Sequence, residues 1–190
     1  MIICGIDQSM TGSGITIYDN GKFYYYLIET KKTKDTQNPS IDNTRRLLEI
    51  KKEIKGILIK HNVEIIAMEG LAFGAKGRSV MTIGGLTHIL RELFIELNID
   101  FLIIPPTTLK KYWTGKGNAN KEDMIQTTIN KGYNIPITKN YGTKKQPNIL
   151  FDDNVVDSHA LCIFVQDMNN NKLDSDLLSK IEQSKFVDFV

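Results

Sequence analysis

The amino-acid sequence predicts an α/β protein built on a mixed five-stranded sheet, in which a three-strand antiparallel meander is followed by two parallel strands and helices flank the sheet. Three β-rich segments come first, "MIICGI", "SGITIYD" and "KFYYYLIE", and the last two are separated by Asn-Gly, the dipeptide most favourable for a tight hairpin turn. Two short apolar segments, "VEIIAME" and "FLIIPP", then alternate with helical patterns. The chain of 190 residues, 41% of them apolar, fits a single domain over residues 1–190.

Helical periodicity fills the intervals between the predicted strands. After the polar stretch "TKKTKDTQNPS", apolar residues recur at helical spacing, at Leu47, Ile50, Ile54, Ile57 and Leu58. A second helix, over residues 79–98, is apolar around too much of its circumference for one packed face, and Gly84 and Gly85 would let another backbone approach closely. This helix is therefore expected to form the two-fold interface of a homodimer.

The last third of the chain predicts helices and one loop. "TLKKYW" indicates a short helix and "NKEDMIQTTINKGY" a longer one, with Gly115 and Gly117 in a tight turn and Asn120 or a nearby residue as a helix cap. "TKNYGTKKQPN" is rich in turn residues and predicts a loop. Two final helices are expected over residues 153–168 and 174–184.

Cysteine content and hydropathy exclude several classes of protein. Cys4 and Cys162 each lie in an apolar run, which favours buried free thiols over a disulfide or metal ligands. No apolar run reaches the roughly 20 residues that cross a bilayer. The N-terminus lacks the features of a signal peptide. We therefore expect a cytoplasmic protein without a membrane partner.

Charge is distributed unevenly, although the net charge is only +2. Residues 107–145 hold eight lysines against two acidic residues, a local balance of +6. Residues 152–190 hold eight acidic residues against three lysines, a balance of −5. A basic segment followed by an acidic one predicts a polyanion-binding face beside a cation-binding cluster, with an unevenly charged solvated surface as the alternative.

Acidic residues stand where the predicted strands end. Asp7 closes the first strand and Glu69 the fourth, so parallel pairing would place both carboxylates at one sheet edge, and Asp157 would join them from a late helix. Clustered carboxylates resist joint ionisation unless a cation compensates them, and oxygen ligands favour Mg²⁺ or Mn²⁺. Two such ions can activate water and stabilise the leaving oxygen of a phosphodiester. The cluster predicts a nucleic-acid substrate.

With these residues in place, the sequence resembles the RuvC family of Holliday-junction resolvases, in the RNase H-like superfamily. The resemblance covers nearly the whole chain, through "GIDQSMTGSGI", "IIAMEGLAFG", "PPTTLKKYWTGKGNANKEDM" and "DSHALCIF". It implies a homodimer that cuts two opposed strands of a four-way DNA junction symmetrically. It also implies two Mg²⁺ ions per site, with Mn²⁺ as a substitute, held by four residues of acidic type, of which Asp7, Glu69 and Asp157 match three. The setting would be a bacterial cell or a phage-infected host.

The resemblance also assigns DNA-binding residues. Lys110 and Lys121 match basic residues that contact phosphates near the cut, and Lys121 could stabilise charge in the transition state as a catalytic residue. Phe73 occupies the position of an aromatic residue that meets bases at the opened crossover, with core packing as its alternative. Further contacts with the DNA backbone are expected from Lys76, Arg78, Lys116, Lys144 and Lys145.

One position departs from the family. RuvC-type proteins usually carry an acidic residue three positions before the last catalytic aspartate, where this chain has Asn154. Asp153 shares a helical face with Asp157 and keeps a full charge, so it is predicted to be the fourth catalytic and metal-binding acid. Asn154 could coordinate through its amide oxygen. Asp152 is expected to cap the helix.

The predicted function is a Mg²⁺-dependent endonuclease that resolves four-way junctions. A nuclease acting more broadly on branched DNA, or a junction-binding protein impaired in catalysis by Asn154, remains an alternative. An actin-like ATPase or kinase would need a second phosphate loop and an adenosine pocket, for which 190 residues leave no room. No nucleotide cofactor is therefore expected.

Overall fold

The computed structural model describes residues 1–33, 38–71 and 78–183. The strands are β1 (Ile3–Asp7), β2 (Ser13–Asp19), β3 (Lys22–Ile28), β4 (Ile65–Glu69), β5 (Asp100–Ile104), β6 (Thr138–Asn140), β7 (Ile149–Phe151) and β8 (Glu182–Gln183). The helices are α1 (Pro39–His61), α2 (Arg78–Glu96), α3 (Pro106–Thr114), α4 (Lys121–Asn130), α5 (Asp153–Asn169) and α6 (Ser175–Leu178).

The main sheet has the strand order β3-β2-β1-β4-β5-β8. β1, β2 and β3 form the predicted antiparallel meander, and β4 and β5 continue it in parallel with β1. Asn20 and Gly21 both have positive φ, as the Asn-Gly hairpin turn requires. The five predicted strands and the mixed pairing are confirmed.

Apolar side chains pack on both faces of the sheet. On one face, Ile6 and Ile66 belong to a core that includes Ile50 of α1 and Leu90 of α2. On the other, Ile3, Ala67 and Leu102 belong to a core with α3, α4 and α5. Because side chains alternate along a strand, Asp7 and Glu69 lie on the same side of the sheet as Ile3 and Ala67, toward α5.

Near the end of the chain, one predicted helix is wrong and one predicted loop is confirmed only in part, over residues 141–148. The segment predicted as a helix over 174–184 contains the four-residue helix α6 and then β8, which pairs antiparallel with β5 and extends the sheet to six strands. The predicted loop "TKNYGTKKQPN" overlaps a second, two-stranded sheet, in which Thr138, Lys139 and Asn140 pair with Phe151, Leu150 and Ile149. We call residues 138–151 the β6–β7 hairpin.

Several local predictions are confirmed. Asn120 and Asp123 form a capping box at the start of α4, and Gly115 adopts a left-handed conformation after α3. Asp152 caps α5, since its carboxylate accepts a hydrogen bond from the Asn154 amide. Cys4 and Cys162 are free and buried. In the described part of the chain, no helix is long and apolar enough to cross a membrane.

Candidate active site

Two glycines set the distance between helix α5 and the sheet. A Cβ atom on Gly5 would lie 2.0 Å from the carbonyl oxygen of Ser158, and one on Gly14 would lie 2.1 Å from that of Asn154. The α5 backbone therefore rests directly on β1 and β2, where a larger residue could not fit. A hydrogen bond of 2.8 Å between the hydroxyl groups of Thr16 and Ser158 fixes the contact. This packing brings α5 to the end of β1.

Asp7 and Glu69 are neighbours because β1 and β4 pair in parallel, with Ile6 opposite Met68. Burial, followed by the negative charges of Glu69 and Asp157, raises the pKa of Asp7 well above its ordinary value. The Asp7 and Glu69 carboxyl groups lie within hydrogen-bonding reach of each other, and burial also raises the pKa of Glu69. Gln8 supports the pair, since its side-chain amide donates to the Glu69 carbonyl at 3.1 Å and to the Thr87 hydroxyl at 2.9 Å.

Asp157 provides the third carboxylate, from the first turns of α5. Burial raises its pKa to about 8, with further contributions from the charges of Glu69 and Asp153. The positive charges of Lys110 and Lys121 act in the opposite direction on Asp157. The three carboxylates thus form one electrostatically coupled group, in which each ionisation disfavours the next.

Asp153 has different surroundings, because cations and a phenol contact its carboxylate. Lys121 donates to its Oδ2, while Lys139 donates to Oδ1 at 3.1 Å and Tyr141 at 2.7 Å. Burial alone would raise the pKa of Asp153, but these hydrogen bonds outweigh it and lower the pKa to about 2. Asp153 is therefore ionised and already balanced by positive charge.

Asn154 faces another part of the molecule. A Cβ atom added to Gly12 would lie 3.3 Å from the Asn154 side-chain nitrogen, so this side chain points toward the β1–β2 connection. Asn154 lines a cleft of about 400 Å³ together with residues of that connection, of β3 and of the β6–β7 hairpin, including Gly12, Leu27, Glu29 and Lys139.

The predicted DNA-binding residues fall into three groups. Lys110 and Lys121 lie near the carboxylates, since the charge of Lys110 opposes the rise in the pKa of Glu69 and that of Lys121 opposes the rise in the pKa of Asp157. Lys116, Lys144 and Lys145 are exposed, the last two between β6 and β7. Phe73, Lys76 and the Arg78 side chain lie outside what the structure describes.

The donor set suits a hard divalent cation. Asp7, Glu69 and Asp157 offer only carboxylate oxygens, the ligands that Mg²⁺ and Mn²⁺ prefer, and a bound cation would compensate the charge of three buried carboxylates. As they stand, however, no group of three or more His, Cys, Asp or Glu side chains in residues 1–33, 38–71 and 78–183 could hold a metal ion.

Nothing in the sequence alone indicates that Lys139 and Tyr141 belong to the site. Both reach Asp153 from the β6–β7 hairpin, which the sequence predicts as a loop. Their distance to Asp153 depends on the register of two three-residue strands, and so short a pattern carries no periodic signal. The excess of lysines in residues 107–145 is the only sequence feature that indicates a basic residue near the site in this segment.

The antiparallel meander, the two parallel strands beside it and the flanking helices form an RNase H-like fold. The family model "Crossover junction endodeoxyribonuclease RuvC" matches residues 3–138, and this chain belongs to that family. The match ends at the first residue of the β6–β7 hairpin, before Asp153 and Asp157.

Individual relatives agree with the family model. The crossover junction endodeoxyribonuclease RuvC of Pseudothermotoga lettingae is 28% identical over 128 residues, covering 66% of this chain and 76% of the relative. The crossover junction endodeoxyribonuclease RuvC of Caldicellulosiruptor saccharolyticus is 28% identical over 130 residues, covering 65% of this chain and 74% of the relative.

Solved structures extend the likeness beyond residue 138. The Thermus thermophilus RuvC structure has a TM-score of 0.63 at 16% identity and covers 97% of this chain and 100% of its own. T. thermophilus RuvC in complex with a Holliday junction substrate has the same TM-score and identity, and it covers 90% of this chain and 97% of its own. At this identity the likeness concerns the fold, which includes α5.

Proposed function

We propose that this chain is an endonuclease that resolves four-way DNA junctions by paired phosphodiester hydrolysis, acting as a single domain over residues 1–190. The observation that carries the proposal is the coupled group of Asp7, Glu69 and Asp157, drawn from two parallel strands and a helix, with Lys110 and Lys121 beside it. Membership of the RuvC family supports the substrate, since its members are named for cleavage of crossover junctions.

In this proposal Asp7, Glu69 and Asp157 hold Mg²⁺, two ions per site, with Mn²⁺ able to substitute. When bound, such ions supply Lewis-acid activation of water and stabilisation of the leaving oxygen. Lys110 and Lys121 place positive charge where the scissile phosphate would lie, and Lys121 stabilises the charge that develops on it. Lys116, Lys144 and Lys145, together with Phe73, Lys76 and Arg78, bind the DNA around the cut.

Two sites are needed for paired cuts, so the proposal includes a homodimer formed through α2. Met81 of this helix is 80% exposed and Ile95 is 57% exposed. A Cβ atom on Gly84 would meet nothing within 4 Å, which leaves room for a second backbone. Together these residues offer an apolar surface for a second copy.

The test compares wild type with Asp7→Asn and Glu69→Gln on synthetic four-way, three-way, flap and linear DNA, with and without Mg²⁺. Both variants should lose cleavage while keeping four-way binding at or above the wild-type level, because a negative charge that repels phosphate is gone. Without metal, Asp7→Asn should also raise the Tm, since its carboxyl has a raised pKa and its ionisation destabilises the folded state.

Asp100→Asn is the matched control, because this exposed aspartate begins β5 at the opposite edge of the sheet. It should cut normally. Cleavage at the wild-type rate by Asp7→Asn would refute the site. Wild-type protein that binds but never cuts would favour a non-catalytic junction-binding protein, and equal cutting of three-way and flap DNA would favour a broader debranching nuclease.

A further inference from the structure

All but the first residue of the β6–β7 hairpin lies beyond the residues matched by the family model, yet the hairpin contacts α5 at the active site. Tyr141, just after β6, donates a hydrogen bond from its hydroxyl to Asp153 Oδ1 at 2.7 Å and accepts one from the Asp153 backbone amide at 2.8 Å. Lys139 adds its ammonium group to the same carboxylate oxygen at 3.1 Å. The hairpin therefore holds both the backbone and the side chain of Asp153.

The other oxygen of Asp153 faces α4. Its Oδ2 accepts a hydrogen bond from Lys121, the first residue of that helix. The Lys121 side chain is 69% exposed, whereas that of Asp153 is only 6% exposed. An exposed lysine has a long flexible stem and takes a fixed position only when its ammonium group is tied to a partner. Asp153 is that partner.

We propose that Asp153 and Tyr141 are positioning residues that hold the Lys121 ammonium group at the Asp7, Glu69 and Asp157 cluster. The chain of contacts runs from the hairpin through Tyr141 to Asp153, and from Asp153 to Lys121. This inference rests on the proposed function and assigns Asp153 a role other than metal ligand. Two ammonium groups already balance its charge and a phenol donates a further hydrogen bond to it, so it has the least need of a divalent cation.

The arrangement separates two tasks among the four acids of the site. Asp7, Glu69 and Asp157 share an excess of negative charge and suit a cation. Asp153 instead accepts a hydrogen bond from the ammonium group of Lys121. Loss of the Tyr141 hydroxyl should leave Asp153 with more freedom and Lys121 less well placed. Small displacements of a group that stabilises transition-state charge have large effects on rate.

The first experiment needs neither metal nor DNA. Side-chain ammonium signals of lysine are followed by ¹⁵N NMR in the metal-free protein, with the Lys121 signal assigned by its absence in Lys121→Ala. Wild type should show a slowly exchanging, ordered Lys121 ammonium. Asp153→Asn should abolish this protection, Tyr141→Phe should weaken it, and the exposed control Tyr24→Phe should leave it unchanged. An unprotected Lys121 in wild type, or protection that survives Asp153→Asn, would overturn the inference.

The second experiment measures single-turnover cleavage of a four-way junction against Mg²⁺ concentration. Tyr141→Phe should cut about tenfold more slowly at saturating Mg²⁺, as expected for one hydrogen bond lost from a positioning contact. Its half-saturating Mg²⁺ concentration should stay unchanged, and it should have no further effect in a Lys121→Ala background.

Asp153→Asn separates the two possible roles of this acid. A positioning residue lowers the cleavage rate at every Mg²⁺ concentration, whereas a metal ligand raises the half-saturating Mg²⁺ concentration and recovers rate when more Mg²⁺ is added. The second result would overturn the assignment. If wild type itself fails to cut, the proposed function fails, and the NMR experiment still decides whether Asp153 and Tyr141 hold Lys121.

Discussion

Histidine 159 should make the stability of the protein depend on pH in a defined window. Its ring is fully buried in α5, among the rings of Phe23, Tyr25, Trp113 and Tyr133. Its Nε2 atom has no hydrogen-bond partner in the described part of the chain. A charged imidazolium would be poorly solvated there, and burial lowers the pKa of His159 from 6.5 to about 4.

The size of the effect follows from these two pKa values. Between pH 6.5 and pH 4 the unfolded chain binds a proton that the folded protein does not, so stability is complete above pH 6.5 and falls as the pH drops. From this group alone, the free energy of unfolding should decrease by about 2 kcal/mol at pH 5 and about 3 kcal/mol at pH 4.

Replacing His159 with Phe removes the titration and keeps a ring in the aromatic cluster. Urea unfolding of wild type and His159→Phe should be compared at several pH values without metal, so that the carboxylates of the site contribute equally to both. The difference in unfolding free energy should grow by about 3 kcal/mol in favour of the variant between pH 7.5 and pH 4. His88→Gln, which removes an exposed histidine of α2, is the control. Parallel pH curves for wild type and His159→Phe would refute the reasoning.

Two further predictions concern DNA binding and assembly. Lys144→Ala and Lys110→Ala should each weaken binding to junctions of any sequence. Each should also reduce the slope of log affinity against log salt by about 0.9 per lost phosphate contact. Lys121→Ala should instead reduce cleavage more than binding. Lys22→Ala, exposed at the start of β3, serves as the control, and equal effects of all three substitutions on binding and cleavage would contradict the distinction. Met81→Asp should convert a dimer into a monomer in sedimentation at micromolar concentration, while Ile59→Asp, on an exposed position of α1, should not. A wild-type monomer with and without junction would contradict the assembly.

The strands and their pairing could be predicted because local signals and the hydrophobic pattern agree. Asn20 and Gly21 specify the hairpin between β2 and β3, and strands as apolar as β1, β4 and β5 are stable only when helices cover both faces of a sheet. Parallel pairing then places Asp7 beside Glu69 without further information. The close approach of α5 is also encoded locally, through the glycines at positions 5 and 14.

The elements that sequence reasoning missed are short and depend on partners. β8 has two residues, and it exists because the edge of β5 offers unpaired backbone groups. The strands of the β6–β7 hairpin have three residues each, all but two of them exposed, so neither burial nor alternation distinguishes them from a loop. A single sequence does not show which strands pair with such short segments, because that pairing depends on how the larger sheet is assembled.

The choice between Asp153 and Asn154 shows why charge alone does not assign a role. From the sequence, Asp153 is the better metal ligand, because it keeps a negative charge and shares a helical face with Asp157. In the folded chain that charge is already shared by Lys121 and Lys139, and the Asn154 side chain turns toward Gly12. Asp7, Glu69 and Asp157 are buried together, and burial is the first cause of their raised pKa values. Asp153 instead accepts hydrogen bonds from two ammonium groups, so we expect its effect on cleavage to pass through Lys121.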